Sequence, residues 1–247
     1  GYPEMINNMV SLNNDRRNTA FVIGDTSMRL AATSTAIQNW ASNSAADTGN
    51  SEDALVTADE YLGIFYPPGQ TNDLSGNTIV VPASHMILRT IARSDDQSFP
   101  WFAPAGTRRG LVDNANAIGF INSATGEFQV DNVRESLRDT LYSNRVNPIT
   151  FFNGVGLMNY GQKTRAATTS ALDRINVARL ANYLRSQLQA TALGFIFEPN
   201  DKITRDELKE QVEQIMNDLV AKRGIYDYLV VCDDTNNTST RIDRNEL

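Results

Sequence analysis

Short apolar runs alternate with amphipathic helical patterns along this chain, and this alternation limits its possible folds more than any other feature. Most of the runs are followed directly by Pro, Asp or Asn, which is typical of buried strands. The predicted strands are residues 20–25, 61–66, 78–81, 148–152, 195–197 and 226–232. Strands separated by helices predict an α/β or α+β fold, in which amphipathic helices pack on mixed β-sheets in two layers.

Apolar residues at helical spacing predict the helices between these strands, and polar residues or proline are placed to begin them. The last of these helices carries Thr204 with Glu207 three residues later, which is the spacing of a capping box. The residues predicted to begin or cap helices are Ser27, Pro82, Asp131, Ser170 and Thr204.

A polar, proline-terminated stretch at residues 144–148 predicts a division of the chain into two parts. The first part is 1–145 and the second is 146–247, and a break near residue 96 is the alternative. Residues 43–53 are small and polar, which predicts a loop.

Composition excludes several functional classes. The chain has 247 residues and a formal net charge of -7, so it repels a phosphate backbone and we expect no nucleic-acid partner. Its single cysteine, Cys232, cannot form an internal disulfide. No apolar run approaches the roughly 20 residues that cross a bilayer, so we expect no membrane insertion.

The residues that could carry chemistry do not form a recognised site. Gly154 and Gly156 follow a predicted strand, but the third glycine, Gly161, stands five residues further on instead of three, so the dinucleotide fingerprint fails. His85 is the only histidine and has no other histidine or cysteine nearby in sequence. The sequence therefore predicts no enzyme, no cofactor and no metal.

Charge is distributed unevenly in the second half of the chain. Residues 158–185 carry a local net charge of +4, and residues 198–218 carry -4. Solvated helix faces often carry such runs, but complementary patches also fix the register between copies of a self-associating protein. The candidate contact residues are Lys163, Arg165, Arg174, Arg179, Arg185, Glu207, Glu210 and Glu213.

Several segments, taken in order over about 155 residues, resemble one known family. They include Phe-Glu-Pro-Asn-Asp at 197–201 and Asp-Arg-Ile-Asn-Val-Ala-Arg-Leu at 173–180. The others are 92–95, 99–106, 147–149, 154–156 with 161–164, 233 with 236–238, and 242–247. Together they resemble contractile tail sheath proteins, which form the outer sleeve of contractile bacteriophage tails.

The resemblance implies a structural subunit that polymerises as stacked six-subunit rings around a tail tube and contracts to drive the tube through a host envelope. It implies a middle sheath domain in 1–145 and the C-terminal sheath domain in 146–247. The implied partners are further copies of the chain, the tail tube protein, and the baseplate and tail terminator proteins. The implied location is the virion, after assembly in the host cytoplasm.

In this family, N-terminal and C-terminal arms tie subunits together by adding strands to a neighbour's sheet. Gly1 resembles a cut, so we expect a fragment that lacks the arms and is monomeric. The basic candidates are then expected to touch the tube or the neighbouring subunit's acidic segment. The alternatives are the sheath of a bacterial contractile injection system and a binding module or enzyme on an α/β scaffold.

Overall fold

A computed structural model describes residues 3–42 and 55–244. The predicted loop at 43–53 and the terminal residues 245–247 lie outside this part. The chain divides into two compact units, Gly1–Arg179 and Leu180–Leu247, which we term unit 1 and unit 2. The predicted division at 145/146 concerns family domains and stays a prediction.

Unit 1 contains both β-sheets and most of the helices. Its strands are β1 (Val22–Asp25), β2 (Leu62–Tyr66), β3 (Gly69–Asn72), β4 (Thr78–Val81), β5 (Ala117–Ile121), β6 (Phe128–Val130), β7 (Val146–Phe152) and β8 (Gly156–Asn159). Its helices are α1 (Pro3–Asp15), α2 (Ser34–Ser42), α3 (Ala83–Gln97), α4 (Gly106–Arg109) and α5 (Glu135–Ser143). Helix α6 (Ile175–Ala192) begins in unit 1 and continues into unit 2.

The first sheet has the strand order β1-β2-β7-β8. The pairs β1–β2 and β2–β7 are parallel, and β7–β8 is antiparallel. All five residues of β2 are buried, as expected for a central parallel strand covered on both faces. The apolar runs that predicted β1, β2 and β7 are therefore the buried strands of one sheet.

The second sheet is antiparallel, with the order β4-β3-β5-β6. Sequence patterns predicted β4 but missed β3, β5 and β6. Strand β3 reads Gly-Gln-Thr-Asn, which has no apolar alternation, and it exists because β4 and β5 supply partners on both sides. The predicted fold class, an α+β arrangement of mixed sheets and packed helices, is confirmed.

Two predicted helix starts, those at Ser27 and Asp131, were wrong. Helix α2 begins at Ser34, seven residues after Ser27. Asp131 does accept the Val133 N–H, but Val133 has a φ of 53°. A residue in that left-handed conformation cannot lie inside a right-handed helix, so α5 begins only at Glu135.

Unit 2 is helical in its described residues. After α6 come α7 (Lys202–Ala221) and α8 (Ser239–Asp243). Asp201, and not Thr204, caps α7, since its side chain accepts the Thr204 N–H at 2.9 Å. Leu219 is the only buried apolar residue among the described residues of unit 2. Such a small core contributes little hydrophobic stability by itself.

The two strands predicted in unit 2 are absent from its described residues. Residues 193–195 form a turn of 3₁₀ helix, and Phe197 is fully exposed. Residues 226–232 are not paired to any strand, and Tyr226 and Leu229 are exposed. An apolar segment becomes a strand only where another strand is available to form a ladder with it.

Candidate assembly surface

Lys163 and Arg174 lie together on unit 1 around Tyr142. Lys163 Nζ lies 4.1 Å from the centre of the Tyr142 ring and donates to its carbonyl oxygen at 3.2 Å. Arg174 donates to the Tyr142 hydroxyl at 2.6 Å and pairs with Asp173 at 3.1 Å. Burial, and then the charge of Arg174, lower the pKa of Lys163. The Arg174 side chain is 41% exposed, so this cationic pair can be reached from outside.

Asn147 positions the backbone that carries Lys163. This buried side chain donates to the carbonyl oxygens of Ile64 at 3.0 Å and Lys163 at 2.8 Å, and accepts the Lys163 N–H at 2.7 Å. A Cβ atom on Gly161 would lie 2.9 Å from Asn147 Cα. Gly161, one of the three glycines considered for a dinucleotide fingerprint, is therefore needed for close packing.

Arg165 lies inside unit 1. The residue is 6% exposed, and its guanidinium donates to the carbonyl oxygens of Leu55 at 2.7 Å, Asn144 at 2.9 Å and Thr57 at 3.3 Å. Burial lowers its pKa to about 10, which leaves it charged at neutral pH. In this arrangement Arg165 binds loops of its own unit.

The other two basic candidates lie on α6. Arg179 forms an ion pair with Asp95 within unit 1, and its side chain is 12% exposed. Arg185 is half-buried in unit 2. The structure therefore brings Lys163 and Arg174 together and commits Arg179 to an internal partner.

The acidic candidates lie on α7 in unit 2. Glu207 and Glu210 are exposed and line an open groove of about 700 Å³ together with Tyr183 of α6 and Asp218. Glu213 is half-buried and pairs with Lys209 at 3.9 Å. The groove combines carboxylates with amide side chains and would suit a basic segment better than an apolar one.

Sequence reasoning missed a set of apolar side chains that unit 2 leaves exposed. Phe197 is the clearest, because its φ of 76° is costly for a bulky residue and its ring is fully exposed. Large apolar side chains are usually buried on folding, so the exposed ones in unit 2 are candidates for contacts with another chain. The set comprises Leu193, Ile196, Phe197, Ile203, Val220, Tyr226, Leu229, Val231 and Ile242.

Residues 226–232 form no strand, but the exposure of their side chains alternates from residue 228 to residue 232. Tyr228, Val230 and Cys232 are half-buried, while Leu229 and Val231 are exposed. The apolar run that predicted a strand here therefore has, in the structure, side-chain exposure that alternates with a period of two but no pairing partner in the described chain. An unpaired apolar strand edge is a template for another chain.

Two other kinds of feature are absent from the described residues, 3–42 and 55–244. These residues contain no cluster of three or more His, Cys, Asp or Glu side chains that could hold a metal ion. None of their helices has the length and apolar content that crossing a membrane requires.

Solved structures with a similar architecture define the class of fold. A chain of the anti-feeding prophage baseplate in the contracted state aligns with 98% of this chain and 62% of its own length, with a TM-score of 0.71 and 18% identity. A chain of the PVC sheath complex, from an extracellular contractile injection system in the contracted state, covers 92% of this chain and 57% of its own length, with a TM-score of 0.66 and 19% identity. The chain therefore shares its fold with these two chains.

The sequence comparisons identify the family within this class. Residues 167–247 match the phage tail sheath C-terminal domain. The tail sheath protein of Vibrio phage KVP40 is 38% identical over 167 residues, which are 68% of this chain and 23% of that protein. The tail sheath protein of Enterobacteria phage T4 is 37% identical over 167 residues, 68% of this chain and 24% of its own length. The chain belongs to the phage tail sheath family, and it spans about a quarter of the length of these curated relatives.

Proposed function

We propose that this chain is part of a structural subunit of a contractile tail sheath. Such a subunit polymerises as stacked hexameric rings around a tail tube and contracts to drive the tube through the host envelope. It acts mechanically and not as an enzyme, and it resides in the virion after assembly in the host cytoplasm. Its further partners are the tube, baseplate and tail terminator proteins. The observation that carries the proposal concerns unit 2. Its residues 226–232 form an exposed apolar segment without a ladder partner in the described chain, and its described part buries only one apolar residue.

The unpaired edge supports self-association by strand addition. Residues 226–232 present exposed Leu229 and Val231 on one face and have a backbone without ladder partners in the described chain. A strand from a second copy would satisfy that backbone and cover these side chains, which is β-augmentation. The fully exposed Tyr226 and Phe197 would add large apolar contacts to the same unit.

Charged contacts are proposed to complement the strand contact. Lys163 and Arg174 form a reachable cationic pair, and Glu207 and Glu210 line an anionic groove. Screened ion pairs of this kind are worth about 0–1 kcal/mol each. That range suits a sheath that has to release and remake contacts with its tube or neighbours during contraction. Arg185 completes the proposed set of contacts, whereas the internal bonds of Arg165 and Arg179 favour a structural role for them.

The test is assembly of the full-length gene product, followed by electron microscopy. We expect the wild type to form sheathed tubes or polysheaths, and failure to form any would contradict the proposed function. Arg174→Glu should lower the salt concentration at which sheaths dissociate, because it reverses one exposed charge. Arg108→Glu, an exposed arginine elsewhere in unit 1, is the matched control and should leave the salt tolerance unchanged.

A second candidate is the sheath of a bacterial contractile injection system. It is favoured by the likeness in fold to the PVC sheath complex, with a TM-score of 0.66. The phage tail is preferred because the sequence identities of 37–38% are to phage proteins. Capsid and terminase genes beside the gene would support the phage tail, and their absence from a complete locus would support the injection system.

A further inference from the structure

Four polar side chains from distant parts of unit 2 meet at the first turn of α7. Arg205 donates to Asn200 Oδ1 at 3.1 Å and to Asp234 Oδ1 at 2.7 Å. Asn200 donates in turn to Asn237 Oδ1 at 3.3 Å. We term Asn200, Arg205, Asp234 and Asn237 the polar clasp. The Arg205 side chain is 9% exposed, while that of Asp234 is 88% exposed.

The polar clasp holds the loop that directly follows residues 226–232. Within this loop, Asn236 donates its side-chain N–H to the Val231 carbonyl oxygen at 2.8 Å, and the Asp233 N–H donates to Asn236 Oδ1 at 3.0 Å. Asn237 donates to the Asp233 carbonyl oxygen at 3.3 Å. The end of the apolar edge is thereby tied to the loop, and the loop is tied to α7 through Arg205.

The first turn of α7 is a firm anchor for this arrangement. Asp201 caps the helix by accepting the Thr204 N–H at 2.9 Å, next to the residue that carries the guanidinium. Hydrogen bonds within the helix and the cap fix the position of the Arg205 backbone. The fork of the guanidinium then sets the direction of two bonds at once, to Asn200 and to Asp234.

Stability alone explains the polar clasp poorly. Removing a guanidinium from water is costly, and a carboxylate as exposed as that of Asp234 returns only part of that cost. In some proteins, buried polar and ionic groups specify one conformation more than they stabilise the fold. The segment that gains a defined conformation is 226–232, the unpaired edge. Ordering an edge before binding reduces the entropy lost on association.

We propose that the polar clasp preorganises residues 226–232, a segment without a ladder partner in the described chain, to receive a strand from a second copy of the protein. The inference rests on the proposed sheath assembly and assigns a positioning role to Arg205, with Asp234 as its partner. Neither residue contacts the incoming strand in this proposal. They act by fixing where the edge ends and in which direction it leaves α7.

The first test measures backbone hydrogen exchange in the 247-residue chain. Asp234→Asn should accelerate exchange of the amides at 233–237 by about tenfold or more, the effect expected for losing a charge-assisted hydrogen bond. Asp234→Glu should restore slow exchange, because the exposed site has room for a longer carboxylate. Lys202→Gln changes an exposed cation in the same helical turn and should change nothing.

Arg205→Gln is a second variant, which removes the guanidinium that donates to Asn200 and Asp234. Asp234→Asn keeps the proposal testable even if Arg205→Gln unfolds unit 2, because the Asp234 side chain is almost fully exposed. Exchange at 233–237 that equals the wild type in Asp234→Asn would overturn the proposal. It would show that the loop holds its position without the ion pair.

The second test measures assembly of the full-length protein carrying the same changes. Asp234→Asn should raise the protein concentration needed for sheath formation by about tenfold, and Asp234→Glu should return it towards the wild-type value. Faster loop exchange with unchanged assembly would also overturn the proposal. A wild-type protein that never assembles would refute the proposed function, while the exchange data would still decide whether the polar clasp positions the loop.

Discussion

Replacing Arg165 separates a structural role from a contact role for the most buried of the predicted site residues. We expect Arg165→Met to destabilise unit 1, because the guanidinium donates to carbonyl oxygens of three residues from two separate segments. Methionine fills a similar volume but donates nothing. The carbonyl oxygens of Leu55, Thr57 and Asn144 would then lose their buried donor.

The magnitude follows from the lengths of these bonds. The contacts to Leu55 and Asn144, at 2.7 and 2.9 Å, are short, and hydrogen bonds to a charged group are worth about 1.5–3 kcal/mol each. The contact to Thr57, at 3.3 Å, is weaker. Removing the charge also removes its desolvation cost, which offsets part of the loss. We therefore expect the free energy of unfolding to fall by about 2–4 kcal/mol.

Urea unfolding followed by tryptophan fluorescence is a suitable assay, since Trp40 and Trp101 both lie in unit 1. Arg108→Met, at an exposed site, is the control and should change the free energy by less than about 0.5 kcal/mol. Arg165→Lys should fall between the two, because an ammonium reaches fewer of the carbonyl oxygens. A loss below about 1 kcal/mol in Arg165→Met would refute the structural role and return Arg165 to the set of partner contacts.

Three further predictions concern pH dependence and packing. Burial raises the pKa of Asp25 against the opposing hydrogen bonds from Ser84. The stability that the protonated Asp25 contributes is therefore lost as the pH rises above 3.8. Urea titrations at several pH values should show the wild type losing stability relative to Asp25→Asn in that range. Arg89 and Arg93 of α3 lower the pKa of Asp113. In the same titrations, the stability advantage of the wild type over Asp113→Asn should therefore shrink as the pH falls below 3.8. Gly161→Ala should cost about 1–3 kcal/mol in urea unfolding, because its Cβ would lie 2.7 Å from Asn147 Oδ1, and an unchanged midpoint would show that Asn147 can move.

The sequence alone determined the strands that are apolar along their whole length. Strand β2 was predicted because Leu62, Ile64 and Phe65 belong to one apolar run, and the structure buries all of them completely. Proline at position 82 predicted the start of α3, which begins one residue later. The family was likewise recognisable from ordered segments, since identity with relatives of 37–38% is a property of the sequence.

The tertiary structure decided everything that depends on a partner distant in sequence. Strand β3 is polar and forms because β4 and β5 lie on either side of it. Arg165 has the same local sequence signal as a surface arginine, and only the fold shows that carbonyl oxygens of residues 55, 57 and 144 surround it.

Residues 226–232 show the reverse case, in which a predicted strand does not form because the described chain supplies no partner strand. Their apolar run predicted a strand, but the structure has none there. Local patterns record which face of a segment is apolar, and hydrogen-bond ladders require a second segment at the correct distance. The apolar pattern was therefore readable from the sequence, whereas the pairing was decided by what the folded chain places beside it.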